Sequence, residues 1–396
     1  MSIIPDLRVL FISHSPDIER GGGASISLYD LILDLKQRYN VIPSVLVFRE
    51  GELSRKCREH NIEVLVMKYW WWTTAPFSVK FRDKVKRLIK RVPQKIRYCL
   101  RNIYSCFKMK RLLRGRKFDI IHTNTCVIDI GSKIAEFLNV PHVWHLREYG
   151  MAFAPSDFYV RREIHKAAAV ITVSKAVYDY YVNEKRFSPA DKTRIIYVGV
   201  KIPEAYEKKF NSGEKVNFCM TCMLLSNKNQ LMAVRACARL KALTDDFTLH
   251  IIGAGGGSYL EELKREVKIN NLEEHVKFLG MRYDIDEILK TMDVGLILSR
   301  REAFARVVLE YMLNYMPVIG TDTGGTPEII NDNETGFICR LDDTEQLAGL
   351  MHKFITDREL IKSMGLKARS RAENFSIKND TDEVYKIYQE VVPSRM

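Results

Sequence analysis

The segment REAFARVVLEYMLNYMPVIGTDTGGTPEII, residues 301–330, holds two carboxylates, Glu302 and Glu310, eight residues apart around a short apolar run. A turn of Gly324, Gly325, Thr326 and Pro327 follows one strand later. The pattern predicts a helix that starts near Phe304 and Ala305 and stops before Pro317. Glu302 then sits in the turn leading into the helix, and Glu310 two turns in, beside Val307 and Tyr311. The unbonded N–H groups of a helix start favour a phosphate, and a carboxylate on either side is suited to grip sugar hydroxyls. The plainer chemistry is a pairing of Glu310 with Arg306 one turn back, and Glu302 as a charge favoured by the helix dipole. Taken alone, the segment favours the plainer account, since two glutamates at any spacing are common.

Other stretches carry weaker signals. VWHLREYG, residues 143–150, ends a strand with His145, Arg147 and Glu148 together. A single histidine is as often a satisfied core residue, but this cluster at a strand end raises the functional reading. His122 in DIIHTN is a lesser candidate, and His14 reads as a loop residue. Gly22 and Gly23 open a helix after the first strand, where a bare backbone approaches a ligand closely. IIGAGGGSYLEELK, residues 251–264, partly matches a dinucleotide fingerprint through Gly253 and Gly255, but Ser258 stands where the third glycine belongs. Asp284-Ile285-Asp286 has a metal-binding look, yet it opens a helix and reads as a cap. Cys219 and Cys222 lie in a strand-like run with no second pair and read as buried thiols.

These residues need a frame. The 396 residues suggest two domains, and 46% apolar with 28% charged residues is ordinary for a globular protein. The first half alternates strand runs (7–13, 41–48, 118–124, 140–146, 168–174) with helical stretches such as 24–39. A polar stretch over 201–216 looks like a linker, and the alternation restarts with strands at 216–222, 247–253, 276–280, 294–299, 317–322 and 336–339. Alternation of this kind implies parallel sheets covered on both faces, with ligands beyond the carboxyl ends of the strands. MSIIPDLRVLFISHS reads as a first strand rather than a signal peptide. No apolar run approaches the ~18 residues of a membrane span. Eight scattered cysteines fit a reducing cytosol.

The 301–330 segment resembles the donor-binding segment of retaining glycosyltransferases of the GT-B fold, family four. That hallmark is Glu, seven residues, Glu, then a strand and a GG-x-PE turn, here Glu302, AFARVVL, Glu310, Pro317-Val318-Ile319 and Gly324-Gly325-Thr326-Pro327-Glu328. Gly21-Gly22-Gly23-Ala24, FDIIHTN, VITVSKAV, YVGV and VKFLG also stand in family order over most of the chain. The resemblance implies two doubly wound Rossmann-like domains facing a central cleft, with a C-terminal helix returning to the N-terminal domain. It implies that Glu302 contacts donor-sugar hydroxyls and Glu310 holds the ribose. The diphosphate is then received around Phe304, Ala305, Arg306 and Val307, with Gly22 and Gly23 also on the donor. Gly253 falls beside the base, and Lys228 matches the family's diphosphate lysine. Met223 stands where the family has an arginine, so half of the cationic clamp is replaced. His145, with Arg147 and Glu148, falls on the acceptor side, where it positions and stabilises rather than acting as an obligatory base. The family uses no metal, so none is expected.

One segment makes the chain basic. Residues 80–117 hold sixteen Lys and Arg against one acid, Asp83, while the whole chain is +13. KYWWWTTAPF, residues 68–77, precedes two amphipathic patterns, one with Phe81, Val85, Leu88, Ile89 and Val92 on a face, the next with Ile96, Leu100, Ile103 and Phe107. Tryptophans beside basic amphipathic helices point to an anionic membrane surface. A plain solvated face is the alternative, and no nucleic-acid motif accompanies the patch. The expected organisation is an acceptor-side domain over 1–203 with a membrane-facing segment at 68–117, a nucleotide-sugar domain over 213–375, and a terminal helix over 376–396. The expected activity is transfer from a UDP- or GDP-sugar to a lipid-linked or other glycan hydroxyl in bacterial capsule, exopolysaccharide or lipopolysaccharide assembly. The expected place is the cytoplasmic face of the plasma membrane. A nucleotide-binding oxidoreductase is disfavoured by Ser258 and the two glutamates. A non-catalytic, membrane-docked subunit of the same fold stays open through Met223.

Overall fold

The computed structural model describes residues 6–18, 22–72, 101, 103–149, 156–210, 213 and 215–392. The chain divides into two compact units, one of residues 1–199 with 377–396, the other of 200–376.

The first unit is built on seven parallel strands: β1 Leu7–Ile12, β2 Val41–Val47, β3 Glu63–Val66, β4 Ile120–Thr123, β5 His142–Leu146, β6 Ala169–Thr172 and β7 Thr193–Ile195. Their spatial order is β3-β2-β1-β4-β5-β6-β7. Strands β4 and β5 are buried along their whole length, as expected for a sheet covered on both faces. Strands β3 and β7 were not legible as strands, because each is a short edge strand of four or three residues with exposed positions. The terminal helix Ile377–Val391 packs on the first helix, Gly23–Arg38. Tyr385 stacks on Tyr39 at 3.9 Å. Asp382 receives both the Arg38 guanidinium (2.5 Å) and the Tyr39 hydroxyl (2.7 Å). Val384, Ile387 and Tyr388 join the same core as Val9, Phe11 and Leu28.

The second unit has six parallel strands: β8 Val216–Thr221, β9 Phe247–Ile252, β10 Val276–Gly280, β11 Val294–Ile297, β12 Val318–Thr321 and β13 Gly336–Cys339. The order is β10-β9-β8-β11-β12-β13. In both sheets the order reverses at one crevice, between β1 and β4 and between β8 and β11. Ligands bind at such crevices in open α/β sheets. The stretch read as a linker lies against this unit. Lys208 Nζ donates to the carbonyls of Leu289, Lys290 and Met292, and the Tyr206 hydroxyl donates to Asn314. The burial of Lys208 lowers its ammonium to about 8.

Most of the basic segment, 73–100, lies outside the described residues, including the first amphipathic pattern and the start of the second. A helix over 103–112 is present. It buries Ser105 and Met109, while Ile103 (69%) and Phe107 (73%) stand exposed one turn apart. The three tryptophans of 70–72 do not act together. Trp72 is fully buried, stacks on Trp144 at 5.6 Å and donates its indole N–H to the Cys126 carbonyl. Tyr69 is buried as well, and Trp71 is half exposed. The membrane-facing reading of 68–117 is therefore corrected for Tyr69 and Trp72, whose apolar surface is consumed by the core.

Candidate active site

The second unit's crevice is built by the loops after β8 and β11. The helix expected to start at Phe304 and Ala305 runs over Arg306–Leu313, with Ala305 at its N-cap and no side-chain cap bond. Phe304 and Ala305 are buried beneath the helix start, and Val307 is half-buried. Tyr311 of this helix lies flat against Gly295, where an added Cβ would meet the ring at 2.2 Å. The Tyr311 hydroxyl accepts the Thr221 N–H at 2.6 Å, which fixes the helix to the end of β8.

Glu302 is held by its backbone. Gly324 has φ +60°, and a Cβ there would stand 2.0 Å from the Glu302 carbonyl oxygen. The Gly325 N–H donates to that same oxygen at 2.8 Å. Only glycine permits this approach in a left-handed conformation. The double-glycine turn is thus a clamp on the Glu302 main chain. Thr321 and Thr323 hydroxyls both donate to the Ser299 carbonyl, tightening the same loop. Arg371 donates to the carbonyls of Glu328 and Ile329, closing the short helix Thr326–Ile329 that follows.

The Glu302 carboxylate meets the Lys228 ammonium at 2.6 Å, both largely shielded. Lys228 ends a 3-10 turn, Ser226–Lys228, directly after β8. Its neighbours anchor it. Asn229 adopts φ +62° and donates to Asp342 at 3.1 Å. Buried Gln230 donates to the Met223 carbonyl at 2.8 Å. Arg300 holds Asp342 with both nitrogens, and its N–H donates to the Asn227 carbonyl. Lys228 and Glu302 therefore sit on two mutually bonded loops. Glu310 faces Arg306 at 3.5 Å, the one-turn pairing that the plainer account describes. Met223, in the arginine's place, is 54% exposed. Gly253 packs on the Cys222 carbonyl, 2.0 Å from where its Cβ would be, so the glycine loop after β9 backs the Lys228 loop.

Two decoys resolve. Asp284 occupies the N-cap of Ile285–Lys290 but makes no side-chain cap bond. Its carboxylate instead accepts two bonds from Arg282, at 2.8 and 2.5 Å, which overturns the capping expectation. Cys219 and Cys222 are free thiols, and burial raises both, Cys222 to about 12, so neither is a ready thiolate.

In the first unit, Gly22 has φ +74° at the N-cap of Gly23–Arg38, and both glycines are exposed. The helix start is tied to β4 by Asn124, whose amide donates to the Ala24 carbonyl at 2.9 Å. Asn124 also accepts the Arg147 Nε–H at 2.6 Å, and Arg147 Nη2 lies 3.4 Å from His145 Nδ1. An arginine only donates, so His145 Nδ1 accepts and its proton resides on Nε2. Burial first, and the Arg147 charge second, hold the His145 imidazole well below the usual histidine range. His122 is held down by the same two causes. Burial takes His14 to about 4, so it is not a plain loop histidine. Glu148 turns to the other side, where its carboxylate accepts the Thr125 hydroxyl. Burial raises this carboxyl to about 7 against the Thr125 bond and the Arg147 charge.

Two family models together cover residues 21–371. "Glycosyltransferase Family 4" matches residues 21–202 and "Glycosyl transferases group 1" matches 202–371. The chain belongs to the family four GT-B glycosyltransferases. Among its relatives, the N-acetyl-alpha-D-glucosaminyl L-malate synthase of Bacillus anthracis is 24% identical over 96% of each chain. The UDP-Gal:alpha-D-GlcNAc-diphosphoundecaprenol alpha-1,3-galactosyltransferase of Escherichia coli is 26% identical over 75% of this chain and 81% of that one. Among solved structures, Anabaena HepE in complex with UDP and glucose has a TM-score of 0.72 at 21% identity, covering 97% of this chain and 99% of its own. S. aureus TarM, in complex with UDP and alpha-GlcNAc-glycerol among others, has a TM-score of 0.73 at 13% identity, covering 96% and 99%.

Several positioning residues of this glycosyltransferase carry little or no sequence signal. Asn229, Gln230, Arg300, Asp342 and Arg371 act through partners up to 113 residues away, as in the Asn229–Asp342 bond. Only Asn229 and Gln230 had a cue, their place beside Lys228.

Glu148 gives a pH test. The folded enzyme holds this proton more tightly than the unfolded chain, whose carboxyl titrates near 4.5. Glu148 thus costs nothing below that pH and destabilises increasingly as pH rises through about 7, by on the order of 3 kcal/mol. His14 and His142, both held low by desolvation, act the other way on acidification, so the difference between variant and parent is the measure. Urea denaturation is expected to show Glu148→Gln gaining stability relative to the parent as pH rises from about 5 to about 8. A difference independent of pH would contradict the buried-acid assignment.

Proposed function

We propose that the glycosyltransferase moves a sugar, with retention and without a metal, from a UDP- or GDP-sugar to a hydroxyl of a lipid-linked glycan in bacterial surface-polysaccharide assembly. The observation that carries this reading is the Lys228–Glu302 pair on two bonded loops at the crevice between β8 and β11. A nucleoside diphosphate offers Lys228 a stronger partner than one carboxylate, because two phosphates carry more charge. Lys228 then leaves Glu302 for the diphosphate, and Glu302 is released to accept from donor-sugar hydroxyls. The start of helix Arg306–Leu313 receives phosphate oxygens. Glu310, one turn beyond Arg306, exchanges that contact for the two ribose hydroxyls. As the anomeric carbon–oxygen bond to phosphate breaks, the acceptor oxygen bonds the same face of that carbon, and its proton passes to the departing phosphate. The neutral, buried His145 serves positioning and electrostatics on the acceptor side.

The UDP in HepE and TarM supports a UDP donor here, and the undecaprenol-linked substrate of the Escherichia coli relative supports a lipid-linked acceptor. The exposed Ile103 and Phe107 among Lys108, Lys110 and Arg111 support attachment to an anionic membrane surface from its cytoplasmic side. Exposed Met223 in the arginine's place favours a second reading, a non-catalytic subunit of the same fold. Turnover of any nucleotide sugar excludes it.

Calorimetric titration with UDP and with GDP, in the presence and absence of EDTA, tests the donor site. One nucleotide is expected to bind equally in both conditions, and Glu310→Ala to weaken it on the order of 10-fold. Undiminished affinity in the variant would remove the ribose role. For the membrane, co-sedimentation with phosphatidylglycerol vesicles is expected to fall on the order of 10-fold in the double variant Ile103→Asp, Phe107→Asp. Unchanged co-sedimentation would place the attachment elsewhere or nowhere.

A further inference from the structure

Beyond Asp380 and Thr381 near its start, the terminal helix carries one more polar group, the Tyr388 hydroxyl, into the first unit's core. Tyr388 is fully buried, and its hydroxyl lies 2.7 Å from Nδ1 of the equally buried His122 on β4. The other groups that residues 384–388 give the core are apolar, namely Val384, Ile387 and the Tyr385 ring. A phenylalanine would serve packing equally well, so the hydroxyl has another use.

The chemistry of the contact assigns a proton. Burial pushes the Tyr388 phenol well above its ordinary value and His122 well below its own, so both are neutral. Of the two neutral groups the phenol is the stronger acid and the bare ring nitrogen the stronger base, which favours donation of the O–H to that nitrogen. His122 Nδ1 therefore accepts, and its proton is placed on Nε2. The ring so oriented lies against His145, with centroids 5.5 Å apart and planes at 59°. On the far side, Phe11 packs on His122 at 5.3 Å. His145 is met from the opposite end by Arg147, itself fixed through Asn124 to the Ala24 carbonyl. Among the described residues, neither His122 Nε2 nor His145 Nε2 has a hydrogen-bond partner, although both are buried. Each ring is thus oriented by one bond at Nδ1, and His145 contacts both His122 and Arg147.

We propose that Tyr388 is a positioning residue: it sets the tautomer of His122, and through that ring it holds the Nε2–H of His145 in its working direction. The terminal helix is seated by Asp382 on Arg38 and Tyr39, so the hydroxyl arrives at a fixed place. This rests on the reading of His145 as a polar group that orients substrate.

The test uses the full-length chain labelled with 15N-histidine. Long-range proton–nitrogen correlation reports the tautomer of each ring, with His122 and His145 assigned from His122→Gln and His145→Gln. Both rings are expected as neutral Nε2–H tautomers in the parent protein. A His122 proton on Nδ1 there would overturn the proposal without any variant. In Tyr388→Phe, His122 is expected to populate both tautomers and the His145 signals to shift or broaden. His250 and His275 of the other unit should stay unchanged, as the check on folding. His145 signals identical in parent and variant would overturn the relay. Turnover of UDP-glucose separates the relay from the role of His145. If His145→Ala keeps parental turnover, the substrate role of His145 falls, and the tautomer result still decides the relay. If His145→Ala loses turnover, Tyr388→Phe is expected to lower kcat by roughly 10-fold with KM little changed.

Discussion

The Glu302 main chain passes so close to Gly324 that no side chain fits between them. The geometry of the loops around Lys228 and Glu302 depends on that contact. It draws the loop after β12 over the loop after β11, and the Gly325 N–H locks the approach. With the Glu302 backbone fixed, its carboxylate is presented to Lys228 rather than to bulk water. Arg300, Asp342 and Asn229 then bind the Lys228 loop to the same frame. A charged pair at a crevice is cheap to rearrange when both partners are held by backbone contacts, because only the side chains need move. Preorganisation of this kind would let the diphosphate of the proposed donor exchange one ionic partner for another without ordering a loop.

The first unit solves the same problem with side chains. Its crevice groups, His122, His145 and Arg147, are buried and their charges are managed by geometry. Burial first, and the charge of Arg147 second, keep both imidazoles neutral, while Asn124 accepts the Arg147 Nε–H. Two neutral rings then offer directional donors instead of charges. The opposite face keeps a carboxyl, Glu148, that burial raises to about 7. Two polar sites thus lie back to back across one strand end, one basic in type and held neutral, one acidic in type and held near its titration point.

What was legible in the sequence follows physical range. The strand and helix alternation is local, and it gave both sheets and their parallel character. Glu302, Glu310, Lys228 and His145 stood out because a motif or a strand end marks them. Edge strands β3 and β7 stayed hidden, because a half-exposed run of four or three residues has no periodicity to read. Trp72 looked like a membrane residue beside its neighbours, but its indole reaches Cys126 across the fold. Asp284 looked like a cap until Arg282, two residues away, took both of its oxygens. Tyr388 and Asp342 matter through partners more than a hundred residues distant, which no local pattern discloses.

Gly324 holds the Glu302 main chain on which the proposed donor site depends. Gly324→Ala, titrated with UDP by calorimetry after its folding is checked by circular dichroism, addresses that claim most directly. An added methyl must push the Glu302 backbone away from its 2.0 Å approach, so the variant is expected to stay folded and bind UDP on the order of 10-fold more weakly. Folded Gly324→Ala that binds UDP as tightly as the parent would contradict it.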